Sequence, residues 1–428
     1  MSYKYLVVLE SPGKTSKVQS FLGKEYKATA SVGHIMDLPA KSFSIDIKNN
    51  FKPTYEIIPD KKDVVKNIKQ LAKKAKIVYL MTDDDREGSS IAHFINEILP
   101  KGTVVKRAKT NSITKFAVQQ AIENATDLFV DDYLVEAQIT RRSLDRICGY
   151  RTSYLTKMNT GGTSAGRVQS VALRILAERE KEIKAFVPQE YWELTADLLS
   201  PKDKPFTVKL DKKITIASEA EAQKIYDKVK VGKPFVKKIE TKIVSRKPYP
   251  PFVTQSLISA AKFNFGWSNS KTMKIAQSLY ENSKITYMRS DSYTIDPGAL
   301  VAIRDCIKTD FGSSYIPEKP NFYKNKKSSQ EGHQAIIPTD IFLKSASSGD
   351  HSKLYDLIWK RTISSQSVPS EEKQVKVIVD INKFDFIANG NIMIFNGWKK
   401  IYDYISSEDV ILPDLNKGDK CKWNQNKK

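Results

Sequence analysis

The run Tyr5-Leu6-Val7-Val8-Leu9 passes directly into Glu10-Ser11-Pro12-Gly13-Lys14, and an amphipathic stretch follows over residues 15–22. Five unbroken apolar residues suit a strand covered on both faces, which is the habit of parallel sheets, and the turn-forming residues after it announce a helix. The same order returns at Ile77-Val78-Tyr79-Leu80-Met81-Thr82, which runs into Asp83-Asp84-Asp85-Arg86-Glu87-Gly88 and then a helix expected over residues 89–99. A third unit, Val104-Val105 followed by residues 112–122, repeats it again. Strand-turn-helix units in series predict a parallel α/β sheet. In such sheets ligands gather beyond the carboxyl ends of the strands, so Glu10, Lys14 and the acidic cluster are expected on one rim.

Beyond this domain the pattern changes twice. Residues 131–187 read as helical, with Ser164 as the expected N-cap of a helix whose apolar stripe is Val168, Val171, Ala172, Ile175 and Leu176. After Pro188 come strand-like stretches at 191–198, 206–210 and 235–243, and a linker at Pro248-Tyr249-Pro250-Pro251. A mainly helical block, including residues 270–282, precedes a return to alternation at 375–398, so the block looks inserted between two halves of one β domain, as an arm on a hinge. The expected divisions are 1–130, 131–187, 188–246, 247–373, 374–405 and 406–428.

The 428 residues exceed one core, and 70 Lys+Arg against 49 Asp+Glu give a formal net charge of +21 spread along the chain. Nucleic acid is the expected partner, because cations that neutralise phosphates release counterions whatever the sequence. Cys148, Cys306 and Cys421 are far apart and form no Cys-x-x-Cys pair, which argues against a zinc ribbon or a disulfide framework. With no long apolar run and no signal-peptide pattern at its start, the chain is expected to be soluble and intracellular.

Several residue groups carry chemistry. In Lys284-Ile285-Thr286-Tyr287-Met288-Arg289-Ser290-Asp291-Ser292, alternation along a strand would place Tyr287 and Arg289 on one face, a phenol to attack phosphorus and a guanidinium to fork onto phosphate oxygens. The pair alone is far more often an ordinary amphipathic strand than a site. Asp83, Asp85 and Glu87 form a D-x-D-x-E after a buried strand, an oxygen cluster suited to Mg²⁺ if the strand direction persists. Glu10 and Lys14 flank a turn at a helix start, where backbone amides favour phosphate, the lysine pins it and the glutamate serves as acid or base. The Walker A spacing is absent, which argues against ATP. His333 stands in a Gly-containing turn, whereas His34, His93 and His351 have no metal-ligand spacing. Arg141, Arg142, Asp145, Arg146 and the stretch from Ser164 to Gln169 suit contacts to a nucleic-acid backbone.

With these motifs in hand, the chain resembles the type IA DNA topoisomerases, most closely the bacterial topoisomerase I branch. The matching stretches are VVLESPGKTSK, SVGHIMDLP, YLMTDDDREG, RRSLDRICGY, TSAGRVQSVALRI, FVPQEYWEL, ITYMRSDS and EGHQAIIPTD, in the family's order. The resemblance implies a multidomain α/β protein: a Toprim parallel α/β domain with helical and β-rich domains in a toroidal arrangement. It implies Tyr287 as the nucleophile that takes the 5′ phosphate of a cut single strand, Arg289 as its transition-state arginine, and Glu10 and Lys14 at the scissile phosphate and leaving oxygen. It also implies Asp83, Asp85, Glu87 and Glu10 as Mg²⁺ ligands, with His333, Gln277 and Glu281 organising the site or the DNA. Arg141, Asp145, Ser164, Arg167 and Gln169 correspond to residues lining the single-strand groove. The implied activity is ATP-independent relaxation of negatively supercoiled DNA by a monomer.

Two departures stand out. Ser89 replaces a further glutamate and Ile337 an arginine that many relatives carry. The family also continues, past the point where this chain reaches Lys428, into a segment that completes the helical domain; its lack here predicts a groove missing one wall and an incomplete ring. A shortened DNA-binding subunit without strand passage is the rival expectation.

Overall fold

The computed structural model describes residues 3–110, 112–127, 132–325, 334–345, 348–405 and 408–424, and the chain divides into two compact units. The first comprises residues 1–184, 251–299 and 322–359. It begins with β1 (Tyr5–Leu9), α1 (Thr15–Leu22), β2 (Tyr26–Ala30), α2 (Lys62–Ala72), β3 (Ile77–Met81), α3 (Arg86–Ile98), β4 (Val104–Arg107) and α4 (Lys115–Glu123). The four strands form a parallel sheet in the order β2-β1-β3-β4, with Tyr5 of β1 opposite Tyr26 on one side and Ile77 on the other. Leu6, Val8, Val78 and Leu80 are fully buried and pack with Val65 and Ile68 of α2 and with Ile91, Phe94 and Ile95 of α3. Val7 and Leu9, on the opposite face of β1, are fully buried as well, so that continuous apolar run is covered on both faces, as parallel pairing requires.

The strand order decides where the site lies. From β1 the chain moves to one side to form β2, then crosses back to form β3 on the other, so the winding reverses between β1 and β3. A crevice opens outside the carboxyl ends of two such strands. The loop after β1 carries Glu10 to Lys14, and the loop after β3 carries Asp83 to Asp85.

Two long helices, α5 (Asp132–Thr160) and α6 (Arg167–Ala185), continue this unit, with α5 packed on α3. The α6 helix begins two residues later than a Ser164 cap would place it. The Gly166 N–H donates to Ser170 Oγ at 3.1 Å, so a side chain inside the helix takes the capping role. No residue of α6 is buried, and Val168, Val171, Ile175 and Leu176 are each more than half exposed.

The second unit comprises residues 185–250, 300–321 and 360–428. Its strands are β5 (Thr195–Leu199), β6 (Pro205–Leu210), β7 (Phe235–Arg246), β8 (Ser370–Ile381), β9 (Phe384–Phe395) and β10 (Lys422–Trp423). They form one antiparallel sheet in the order β7-β8-β9-β6-β5-β10, so strands from both sides of the helical block share a single sheet. Leu198, Val208, Val236, Val379 and Phe386 form its core together with Ala222 and Val229 of α7 (Glu219–Lys230), a helix the sequence patterns did not lead us to expect. The β8–β9 hairpin turns at Asn382 and Lys383, both with positive φ (51° and 69°), the twist that suits two-residue hairpins.

The remaining helices are α8 (Thr254–Phe265), α9 (Asn269–Glu281), α10 (Pro297–Phe311) and α11 (Gly349–Ser365). Among the described residues no helix is long and apolar enough to cross a membrane.

Candidate active site

The loop after β3 departs from the expected geometry. The strand ends at Met81, and α3 begins at Arg86, three residues earlier than expected, so the strand direction does not persist through D-x-D-x-E. Asp85 is instead the N-cap of α3, accepting from the Gly88 N–H at 2.7 Å, and Glu87 stands in the first helical turn. A cap carboxylate satisfies an otherwise unpaired amide and favours the positive end of the helix dipole, a local gain that outweighs extension of the strand. Gly88 is required here: a Cβ on it would lie 2.0 Å from the Asp83 carbonyl oxygen.

Beneath this loop lies Arg107, 2 % exposed. Its Nη1 donates to the carbonyls of Leu80 (3.1 Å), Thr82 (2.9 Å) and Ala108 (3.2 Å), and its Nη2 to that of Asp83 (2.9 Å). Motif and charge give no hint of this role, because a guanidinium bound to backbone carbonyls leaves no partner pattern in sequence.

The turn after β1 supplies Lys14, also 2 % exposed, whose ammonium lies 2.5 Å from Asp83 Oδ1. Tyr280 of α9, fully buried, donates its hydroxyl to the same oxygen at 3.0 Å and places its ring 4.4 Å beneath the Lys14 ammonium. Burial, then the charge of Asp83, pushes the Tyr280 phenol well above its ordinary range. Tyr280 escaped the sequence analysis because it sits on an apolar helical stripe. The Ser11 hydroxyl donates to Glu281 Oε1 at 2.7 Å, and Gln277 Nε2 donates to the same oxygen at 2.8 Å, which ties the turn to α9.

The segment bearing Tyr287 is not the expected strand. Among the described residues Ile285 alone in this segment forms a β-bridge, with Pro338, while Thr286 bonds to Ile337 and Ala335. With no ladder to enforce alternation, Tyr287 and Arg289 differ in exposure: Tyr287 is 5 % exposed, and the Arg289 side chain is about half exposed. Both nonetheless meet the acidic loop. The Tyr287 hydroxyl donates to Asp85 Oδ2 at 2.7 Å, its ring stands edge-on to Tyr280 at 5.2 Å, and Arg289 Nη1 pairs with Glu87 Oε2 at 3.0 Å. Burial first, then the charges of Asp83 and Asp85, hold the Tyr287 phenol far above its ordinary range, so it is protonated at rest. Glu10 is pushed up to about 7, by burial and by the nearby Asp83 and Asp85 charges, against the lowering pull of Lys14.

Among the described residues, no three acidic, histidine or cysteine side chains are arranged as a metal-ligand group. Asp83 is held by Lys14 and Tyr280, Asp85 by the helix cap and Tyr287, and Glu87 by Arg289. The donor chemistry still suits a hard cation, because the mutual repulsion that raises Glu10 is what a divalent ion relieves.

His333 lies outside the described residues. Of the groove candidates, Arg167 forms a two-pronged pair with Asp145 at 2.7 and 3.0 Å, whereas Arg141, Ser164 and Gln169 are exposed. Arg142 pairs likewise with Asp37, and the buried Arg146 donates to the carbonyls of Leu38, Pro39 and Ser42. Ser89 and Ile337 are each 2 % exposed.

Residues 130–428 match the family model described as DNA topoisomerase, and residues 5–113 match that of the Toprim domain. The chain belongs to the type IA DNA topoisomerase family. DNA topoisomerase 1 of Rickettsia bellii is 40% identical over 96% of this chain and 55% of its own length. The Escherichia coli DNA topoisomerase 1 is 37% identical over 97% of this chain and 51% of its own. The full-length topoisomerase I structure from Thermotoga maritima superposes with a TM-score of 0.84 at 32% identity, covering 98% of this chain and 70% of that one. The chain thus spans about half the length of the curated relatives it matches.

Proposed function

We propose that this chain carries out the transient cleavage and resealing of single-stranded DNA through Tyr287. The observation that carries the reading is the 2.7 Å hydrogen bond from the Tyr287 hydroxyl to Asp85 at the crevice where the sheet reverses its winding, with Arg289, Lys14 and Glu10 beside it. Asp85 accepts the phenol proton as Tyr287 Oη bonds to phosphorus, and the bond from phosphorus to the 3′ oxygen breaks. The departing 3′ oxygen takes a proton from Glu10, whose elevated affinity leaves it protonated about half the time near pH 7. Arg289 exchanges Glu87 for the non-bridging phosphate oxygens, and the buried Lys14 adds positive charge. Reversal of the same transfers reseals the strand, and because the phosphotyrosine link conserves the bond energy, no nucleotide triphosphate is needed.

Toprim domains generally bind Mg²⁺. Asp83 and Asp85, with Glu87 close by and Glu10 once it has lost its proton, would hold the ion, which when bound would supply positive charge to the phosphate chemistry. We assign Gln277 and Glu281 to holding the β1 turn in place. Arg141, Asp145, Ser164, Arg167 and Gln169 we assign to contacts with the strand. The net charge of +21 and the exposed cations of α5 support DNA as the partner. The uncovered apolar stripe of α6 supports further packing by helical chain, so relaxation of supercoiled plasmid is proposed for the whole protein.

The test is a single-stranded oligonucleotide labelled at its 3′ end, mixed with the chain and resolved on a denaturing gel. A shifted, labelled protein band that disappears in Tyr287→Phe supports the reading. Absence of the band from the unaltered chain, or its persistence in the variant, refutes it.

A further inference from the structure

Past Ala30, the last residue of β2, the chain runs Ser31-Val32-Gly33 along the same rim as Glu10. The Ser31 N–H donates to the Leu9 carbonyl at 2.8 Å and the Gly33 N–H to the Glu10 carbonyl at 3.0 Å. Between these anchors Val32 has a φ of 58°, and the Lys61 ammonium holds its carbonyl at 2.6 Å. A β-branched residue in the left-handed region crowds its own backbone, and glycine would sit there without strain. Core packing does not offset that cost, since Val32 is 45% exposed. A second local cost adjoins it: Ser31 is fully buried, and its hydroxyl has no hydrogen-bond partner among the described residues.

Val32 faces an open cleft of about 440 Å³ that it shares with Glu10, Lys274, Gln277 and Arg289. Strain confined to such a place is typical of residues that act on a ligand. The Lys274 and Arg289 cations of the cleft suit phosphate, whereas a nucleoside also presents an apolar face that an apolar wall complements.

We propose that Val32 is a substrate-positioning residue: its left-handed backbone holds the isopropyl group in the cleft as an apolar wall against the nucleoside adjoining the phosphate that Tyr287 attacks. The proposal rests on the cleavage function assigned above. Covering the exposed isopropyl group with substrate returns, on binding, what the strained backbone costs in the free protein.

The test compares Val32→Gly, Val32→Asn and Val32→Ile. Adduct formation is measured over a range of 3′-labelled oligonucleotide concentrations, and non-covalent binding by fluorescence anisotropy in a Tyr287→Phe background. Val32→Gly and Val32→Asn, both at ease in the left-handed region, are expected to raise the half-saturating concentration and Kd about tenfold, the loss of one buried Val-sized contact. The saturated adduct rate stays within about twofold, and the urea midpoint is equal to or above that of the unaltered chain. Val32→Ile restores binding. Glycine and asparagine variants that bind as tightly as the unaltered chain overturn the proposal, as does a loss confined to the saturated rate. An unaltered chain that binds but forms no adduct refutes the cleavage function instead, and the anisotropy series still decides the role of Val32.

Discussion

Lys14 and Asp83, one from the turn after β1 and the other from the loop after β3, form a 2.5 Å ion pair whose side chains are only 2% and 9% exposed. Removing one partner of such a pair strands a charge in a site with little water, at a cost of about 3–5 kcal/mol. Lys14→Met is therefore expected to lower unfolding free energy by about that amount, and Lys14→Met with Asp83→Asn by much less than the two single changes summed. Urea denaturation of the three variants checks this; a single variant costing under about 1 kcal/mol contradicts the buried-charge argument.

Asp85 has two duties that one substitution separates. Asparagine caps helices about as well as aspartate but does not accept a phenol proton as a base. Asp85→Asn should leave the urea midpoint nearly unchanged while slowing adduct formation by about 10²–10⁴-fold. An undiminished rate would assign the proton to another acceptor.

Tyr280→Phe deletes one hydroxyl and keeps the ring against Tyr287. Hydrogen bonds to charged groups contribute about 1.5–3 kcal/mol, so the stability loss should fall in that range. Tyr280→Leu, which also removes the edge-on ring contact, should cost more and slow adduct formation further. Equal behaviour of the two variants would show that the ring contributes nothing.

Glu10 links stability to pH. Its carboxyl binds a proton more tightly when folded, at about 7, than in the unfolded chain near 4.5, so the folded state holds more protons between those values. The resulting stabilisation is complete below about pH 4.5 and is lost as pH rises through 7, by on the order of 3 kcal/mol. Glu10→Gln should flatten the decline between pH 5 and 8 in urea titrations. Added Mg²⁺ should flatten it too, because a cation bound to the carboxylates lowers the proton affinity of Glu10. A wild-type curve already flat across that interval would rule out Glu10 as the source.

Much of the parallel sheet was legible because β1 and β3 are apolar without interruption, and α1 matches its expected bounds because the Ser-Pro-Gly turn fixes where it starts. The residues of the site were legible as types, but their geometry was not. Strand alternation failed at Tyr287 because among the described residues no strand pairs with that segment, and the spacing of D-x-D-x-E misled because Asp85 gains more by capping α3 than by extending β3. Tyr280 and Arg107 went unnoticed for one physical reason. Each acts through partners distant in sequence, the Asp83 side chain for Tyr280 and backbone carbonyls for Arg107, and only the fold brings those partners within reach.

Arg107 grips the backbone of the acidic loop at the Thr82 and Asp83 carbonyls. The Asp83 carboxylate can therefore gain or lose a proton, or change partners, while its own carbonyl stays held. At Asp83 the backbone is anchored apart from the charge its side chain carries, so this end of the site changes ionic state with little reorganisation, the condition under which fixed dipoles and charges act most strongly on a reacting phosphate.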